Sequence, residues 1–275
     1  MNPVEFEYCD KLISEFEESV SNPIRGKSAN YFTGVDLGTA CIVLAVLDEN
    51  KRPAAGAYRY ADVVRDGMVV DYMGAVRHVK EMKIEIESKL GAALRCAAAA
   101  IPPGTEHLGA SVVKNVAEAA GFEVNSILDE PTAANEVIGL RNGAIVDIGG
   151  GTTGISVLKD GKVVYVADEP TGGTHFSLVV AGAYKIPVDK AELLKRNKSN
   201  HRELYGVLKP VMEKVSSIVK RHICGYDVSE ITLVGGMSCF TGIEEVIQEK
   251  TGISTRKPKN PLFVTPLGIA LCCLA

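Results

Sequence analysis

Apolar residues along this chain change their spacing repeatedly, and each change marks an element. Phe6, Cys9, Ile13, Phe16 and Val20 recur at three- and four-residue intervals among acids, which predicts a helix over residues 4 to 20. SNPIRGKSAN (21 to 30) is rich in turn formers and reads as a linker. From Tyr31 the pattern is that of strands, at about 32 to 38, 41 to 48 and 55 to 60. A helix over 73 to 90 follows RDGMVVDY and ends at Gly91. CAAAAIPP (96 to 103) is ambiguous, since alanine favours helix; the prolines after it and a helix on each side favour a short buried strand. Leu108, Val112, Val116 and Ala120 predict a helix over 107 to 120, stopped by Gly121. Strand 123 to 128 and helix 131 to 140 follow.

The plan then restarts. Strands are predicted at 143 to 148, 153 to 158 and 162 to 168, then a helix over 174 to 183. After a polar stretch, 189 to 203, a long helix puts Leu204, Leu208, Val211, Val215, Ile218 and His222 on one face, with Pro210 as a kink or a first turn. Strand 230 to 234, helix 241 to 250, an extended piece 253 to 257 and helix 265 to 274 complete the chain. Three strands, helix, strand, helix, strand, helix thus occurs approximately twice, the mark of a duplicated α/β unit. The expected division is an acidic helix and linker (1–30), a first lobe (31–141), a second lobe (142–264) and a helix returning to the first lobe (265–275).

Composition narrows the functional classes. The chain is 46% hydrophobic and 23% charged, ordinary for a globular protein with a real core. Its net charge of −4 gives no global attraction for nucleic acid. Residues 1 to 20 hold six acids and one base, so the acidity is concentrated in the first helix, which either docks a partner or packs on the body. Seven scattered cysteines without paired spacing argue for reduced thiols rather than a disulfide framework or a zinc site. No apolar run reaches the length of a membrane span, and a cytoplasmic location is expected. Gly26-Lys27-Ser28 is not a phosphate loop: position 21 is Ser where that motif needs Gly, and no apolar strand precedes it.

Two glycine turns carry the chemistry. VDLGTACIVLAVL (35 to 47) and VDIGGGTTGISVL (146 to 158) share one plan: apolar strand, Asp, glycine turn with Thr, apolar strand. Gly149, Gly150 and Gly151 with Thr152 and Thr153 exceed what a tight hairpin needs. Bare N–H groups converging with hydroxyls make a donor site for phosphate. A carboxylate beside phosphate, Asp36 or Asp147, calls for an intervening cation, and Mg2+ fits. Gly235-Gly236 in ITLVGGMSCFTGIEEVI (231 to 247) lies between strand and helix, where bare backbone could admit a flat base or ribose.

Together these residues resemble the actin, sugar-kinase and DnaK-type ATPase superfamily. VDLGTACIVLAV looks like its first phosphate motif and AIVDIGGGTTGISVL its second. DEPTAANEVIG (129 to 139) and TPLGIALC (265 to 272) look like its connecting helices, and LVGGMSCFTGIEEVI its adenosine motif. The compact length and RDGMVVDY are similar to the pilus and cell-division actin-like proteins, and the chain as a whole resembles the chaperone-like ethanolamine-utilisation branch. The resemblance implies two ribonuclease-H-like lobes with minimal inserted subdomains and ATP with Mg2+ in a central cleft. It assigns Asp36, Gly38 and Thr39 to the first phosphate turn, and Asp147, Gly149, Gly150, Gly151 and Thr152, with Thr153 following, to the second. Asp36 and Asp147 would hold the metal, and Glu130 would place the attacking water, unless it is merely a neighbour of the helix cap. Gly172-Gly173 resembles another nucleotide-side pair, and Gly235-Gly236 the adenosine turn. Small residues in the connecting helices (Ala133, Ala134, Gly139, Gly268, Ala270) would let them cross closely as a hinge.

The departures bear on rate. DnaK carries a second Asp where this chain has Gly154, an Arg where it has Cys239, and a catalytic lysine with no evident match. Slow hydrolysis, or binding with little turnover, is therefore implied. Implied partners are proteins of the ethanolamine pathway or its microcompartment. The alternative is a non-enzymatic scaffold; a small-molecule kinase lacks its acceptor insert, and a dehydratase activator its cysteine-bearing glycine motif. His175 reads as a surface residue of a first helical turn, Cys272-Cys273 as buried neighbours of Leu271 and Leu274, and KRNKSNHR (195 to 202) as a solvated loop.

Overall fold

A computed structural model describes residues 3–24, 28, 30–65, 67–103 and 109–274. Gly26 and Lys27 of the rejected phosphate loop, Asp66 of RDGMVVDY and Leu108 of the third predicted helix lie outside the described residues. The chain divides into two compact units, Met1–Gly139 with Phe263–Ala275, and Leu140–Leu262.

The first unit holds α1 (Pro3–Ser21), β1 (Tyr31–Leu37), β2 (Cys41–Asp48), β3 (Pro53–Tyr60), the short pair β4 (Val64–Arg65) and β5 (Met68–Val69), and α2 (Tyr72–Leu90). β6 (Cys96–Ile101), α3 (Gly109–Ala119), β7 (Glu123–Asp129) and α4 (Glu130–Ile138) follow, and the last helix, α9 (Val264–Cys272), returns to it. Its five-stranded sheet runs β3-β2-β1-β6-β7, antiparallel as far as β1 and parallel beyond. β6 is a strand although four of its six residues are alanine. Ala97, Ala99 and Ile101 enter a core with Val79, Met82 and Ile86 of α2 and Val113 and Val116 of α3. Ala98 and Ala100 enter a second core with Ala133 of α4 and Ile269 of α9. A strand buried on both faces shows no polar alternation, and small side chains admit helices closely. A Cβ added at Gly268 would lie 1.7 Å from the Ala133 carbonyl oxygen, and one at Gly34 2.3 Å from that of Pro266.

The acidic helix α1 packs on the body. Cys9, Leu12, Ile13 and Phe16 are buried, while Glu7, Glu15 and Glu18 face water. The Phe16 ring fills the space above Gly56, where a Cβ would come within 2.4 Å of it, and meets Phe263 edge-on at 5.1 Å.

The second unit holds β8 (Gly143–Ile148), β9 (Thr153–Lys159), β10 (Lys162–Glu169), α5 (Gly173–Tyr184), α6 (Val188–Arg196), α7 (His201–Ile223), β11 (Glu230–Val234), α8 (Ile243–Thr251) and β12 (Ser254–Arg256). Its sheet runs β10-β9-β8-β11-β12, the order of the first sheet repeated. Val146, Ile155, Phe176, Leu208, Val215 and Val246 share its core. Pro210 lies inside α7 rather than at its start.

One sequence expectation is corrected here. The polar stretch 189 to 203 is mostly helix: α6, a single 3-10 turn at Lys198–Asn200, and the start of α7. KRNKSNHR is not a solvated loop, because Lys195 and His201 are buried. α6 is short and turns only Ala191 and the lysine stem inward, so it shows no apolar stripe.

Candidate functional site

In the second unit the geometry starts from β8. Asp147 stands one residue before its end, opposite Gly154 on β9 and Val234 on β11. The Gly149–Thr152 turn follows, closed by Gly149 N–H donating to the Thr152 carbonyl at 3.0 Å. β11 ends beside Asp147 and passes into Gly235 at φ +86°. A Cβ there would lie 2.1 Å from Asp147 Oδ1 and 2.7 Å from the Ile148 carbonyl, so only glycine fits both conformation and space. From the other side of the sheet, β10 leads to Gly172 and Gly173. A Cβ at Gly172 would lie 2.6 Å from the Gly151 carbonyl carbon and 2.7 Å from Thr152 N.

Three glycine turns, spread over about 90 residues of sequence, thus meet at one end of β8. The N-terminus of α5 supports the meeting. Gly173 N–H donates to the Gly149 carbonyl at 2.9 Å, and the Thr174 N–H and hydroxyl donate to the Gly150 carbonyl at 2.8 and 2.9 Å. These bonds draw the turn's carbonyls toward the positive end of α5. Thr152 is half-buried. Thr153 is fully buried, and its hydroxyl donates to the Thr171 carbonyl, which anchors the turn. Gly236 opens a 3-10 turn and has only Leu262 near its Cβ position. His175 is half-buried, and its Nδ1 accepts the Gly172 N–H at 3.4 Å, closing the first turn of α5.

Lys195, expected in a solvated loop, lies directly behind this site. Lys195 Nζ donates to the Gly173 carbonyl at 2.8 Å, to Ser177 Oγ at 2.9 Å and to Glu192 Oε2 at 2.6 Å. Burial pushes the ammonium below its ordinary range, with Glu192 opposing. Burial pushes the Glu192 carboxyl up, but Lys195, the Ser177 hydroxyl and Arg196 outweigh it and hold it low. The sequence signals were slight: the i, i+3 pair Glu192/Lys195, and Ser177 one turn into α5.

In the first unit Asp36 occupies the matching place on β1, opposite Val43, with Gly38 and Thr39 in the turn that follows. The two turns match in detail. A Cβ at Gly38 would lie 4.0 Å from Asp36 Oδ1, and one at Gly149 3.9 Å from Asp147 Oδ1. Glu130 opens α4 directly after β7, two strands from β1 in the same sheet. The cap of α4 is Asp129, whose Oδ1 accepts the Thr132 N–H at 2.9 Å and Oδ2 the Thr132 hydroxyl at 2.7 Å. Glu130 is therefore not needed as the cap.

Among the described residues no three His, Cys, Asp or Glu side chains gather as a metal site. The donor set is single carboxylates beside N–H-rich turns. That suits a magnesium ion completed by phosphate and water oxygens better than a closed protein cage. No helix of the described residues is long and apolar enough to cross a membrane.

Comparison with known proteins gives the family and the fold. The family model for the type IV pilus assembly protein PilM matches residues 116–261. The ethanolamine utilization protein EutJ of Salmonella typhimurium is 46% identical over 238 residues, covering 86% of this chain and 84% of the relative. The crystal structure of EutJ from Carboxydothermus hydrogenoformans superposes with a TM-score of 0.93 at 45% identity, over 97% of this chain and 99% of that one. Two more distant structures share the fold alone. The PilM–PilN type IV pilus biogenesis complex has a TM-score of 0.75 at 16% identity, over 91% of this chain and all of that one. MreB5 of Spiroplasma citri bound to ADP has 0.68 at 19%, over 87% and 95%. The chain belongs to the EutJ family of ethanolamine utilization proteins, carries the actin-like ATPase fold, and is matched by the PilM model over more than half its length.

Proposed function

We propose that this chain binds ATP or ADP with magnesium and acts as a slow ATPase switch with a chaperone-like role in ethanolamine utilisation. The observation that carries the reading is the convergence of Asp147 with the Gly149–Gly151, Gly172–Gly173 and Gly235–Gly236 turns at one end of β8. A relative of the same fold is bound to ADP, and relatives at close to half identity are named for ethanolamine utilization.

In this reading each residue has a task. The Gly150 and Gly151 N–H groups and the Thr152 hydroxyl bind phosphate from the second unit, and Gly38 and Thr39 do so from the first. Asp36 and Asp147 would hold a magnesium ion, which would neutralise phosphate charge. Glu130 orients the attacking water, with Asp147 as the second candidate for accepting its proton. Gly235 and Gly236 leave bare backbone for the adenosine. Turnover is slow because Gly154 and Cys239 stand where the DnaK motifs carry Asp and Arg. Exchange of ATP for ADP moves the two units against each other and changes a surface read by proteins of the pathway or its microcompartment.

The PilM–PilN likeness favours a second reading, a nucleotide-binding scaffold without turnover. Phosphate release and calorimetric titration with magnesium-ATP separate the two. Release at a low rate that Asp147→Ala abolishes supports the switch. Tight binding without release supports the scaffold, and no heat on titration refutes both.

A further inference from the structure

His201, the first residue of α7, is 5% exposed and held from three sides. The Thr241 N–H donates to its Nδ1 at 3.0 Å, the Thr241 hydroxyl lies 3.0 Å from the same nitrogen, and its Nε2 lies 3.0 Å from the Lys195 carbonyl. An Nδ1 that accepts an amide proton leaves Nε2 as the protonated nitrogen, so the ring is the neutral Nε2–H tautomer and donates to Lys195. The imidazole also stacks on Phe240, centroids 4.2 Å apart.

Each partner belongs to one of the converging turns. Lys195 holds Gly173 through its ammonium. Phe240 and Thr241 directly follow the 3-10 turn that Gly236 opens. The circuit runs from Asp147 through Gly149–Gly151, Gly173, Lys195, His201 and Phe240 to Gly235, and back to Asp147. We propose that His201 is a positioning residue of the nucleotide site, its neutral imidazole joining the phosphate-side Gly172–Gly173 turn to the Gly235–Gly236 turn and fixing both around Asp147. The proposal rests on the nucleotide reading above.

Protonation weakens this joint, because an imidazolium Nδ1 no longer accepts the Thr241 N–H and keeps only the Thr241 hydroxyl oxygen as an acceptor. The charged groups around the ring act in the same direction. Lys198 follows α6, and Lys257, after β12, donates to the Phe240 carbonyl at 2.8 Å and pairs with Glu244 of α8 at 2.6 Å. On α6 the Lys195 ammonium is already paired with Glu192. Burial pushes the imidazole below its ordinary range, the Lys195 carbonyl opposes this, and Lys257 and Lys198 add to it. The neutral joint is therefore intact at and above the ordinary histidine range and is lost as pH falls below it.

The test compares wild type, His201→Gln and His201→Phe in the full chain. Phe keeps the stacking surface and loses the hydrogen bonds to Thr241 and Lys195; Gln can supply an acceptor and a donor in the same place without titrating. Calorimetric titration with ADP and magnesium at pH 8 is expected to show affinity about tenfold weaker in His201→Phe and largely restored in His201→Gln. From pH 7 to pH 5 the affinity of the wild type should fall more steeply than that of His201→Gln, phosphate titration being common to both. Amide hydrogen exchange gives a readout independent of ligand: His201→Phe should speed exchange at both 172–177 and 235–241 while the rest of α7 stays protected. Unchanged exchange at either segment, or pH profiles of wild type and His201→Gln that superimpose, overturns the proposal. Absence of ADP binding in the wild type would refute the nucleotide reading instead, and hydrogen exchange would still decide whether His201 joins the turns.

Discussion

Gly235→Ala is the sharpest probe of the site. Gly235 has φ +86° and ψ 161°, a region essentially reserved for glycine. Forcing alanine into it costs about 1–3 kcal/mol. The added methyl also meets Asp147 Oδ1 at 2.1 Å and the Ile148 carbonyl oxygen at 2.7 Å. The carboxylate can rotate away, but the β8 backbone cannot, and such overpacking adds about 1–3 kcal/mol. The sum, about 2–6 kcal/mol, is a large share of the 5–15 kcal/mol or so that holds a typical domain together. Relief comes from displacing Asp147, so the loss should appear twice. Thermal melting should fall by roughly 6–18 °C, at about 3 °C per kcal/mol. Calorimetric affinity for magnesium-ADP should fall at least about tenfold. Gly236→Ala is the control for stability alone: its methyl meets only Leu262, at 3.4 Å, and should cost under about 1 kcal/mol. If Gly235→Ala melts as the control does and binds magnesium-ADP as the wild type does, Asp147 and the Gly235 turn are not packed as described and the site loses its central contact.

Further outcomes follow from other contacts. Gly268→Ala should destabilise the first unit by several kcal/mol, on the order of a severe core substitution, because its methyl would overlap the Ala133 backbone; urea unfolding monitored from α4 or α9 reads this. Phe16→Ala should cost about 3–5 kcal/mol in the same experiment, since the ring is fully buried between Gly56 and Phe263. Lys195→Met should cost about 1–3 kcal/mol, because Glu192 keeps only Arg196 and Ser177; urea unfolding unchanged from wild type would show that the ammonium does not support Gly173. Native alkylation read by mass spectrometry should label the exposed Cys224 first and spare Cys9 and Cys273, whose thiols burial pushes up to about 12; rapid labelling of Cys9 would show α1 leaving the body.

Much of this molecule could be read from the sequence, for identifiable reasons. The two strand triplets were legible because each shows long apolar runs broken by glycine turns. β6 was legible against the helix propensity of alanine because prolines follow it and helices flank it. α6 was not, since its inward face is one alanine and the stem of a lysine, which no count of apolar spacing detects. The β4–β5 pair was missed because two residues show no period. Within the site, the glycine turns announced themselves by exceeding what a hairpin needs. Their meeting at β8 depends on strand order, which brings residues 147, 172 and 235 together. Lys195 and His201 were hidden because charge in a short polar segment looks the same whether solvated or buried among carbonyls.

The first unit is assembled from both ends of the chain, with α9 filling the second face of its sheet through Ile269 and the bare flank of Gly268. The second unit is one uninterrupted segment. During synthesis the face of the first sheet that α9 covers cannot close until residues 264–272 have left the ribosome. The first unit must wait, with Ala98, Ala100 and Ala133 uncovered, until that helix emerges. Residues 1–139 thus spend the time in which the second unit is made with that face of their sheet uncovered, within reach of chaperones and proteases.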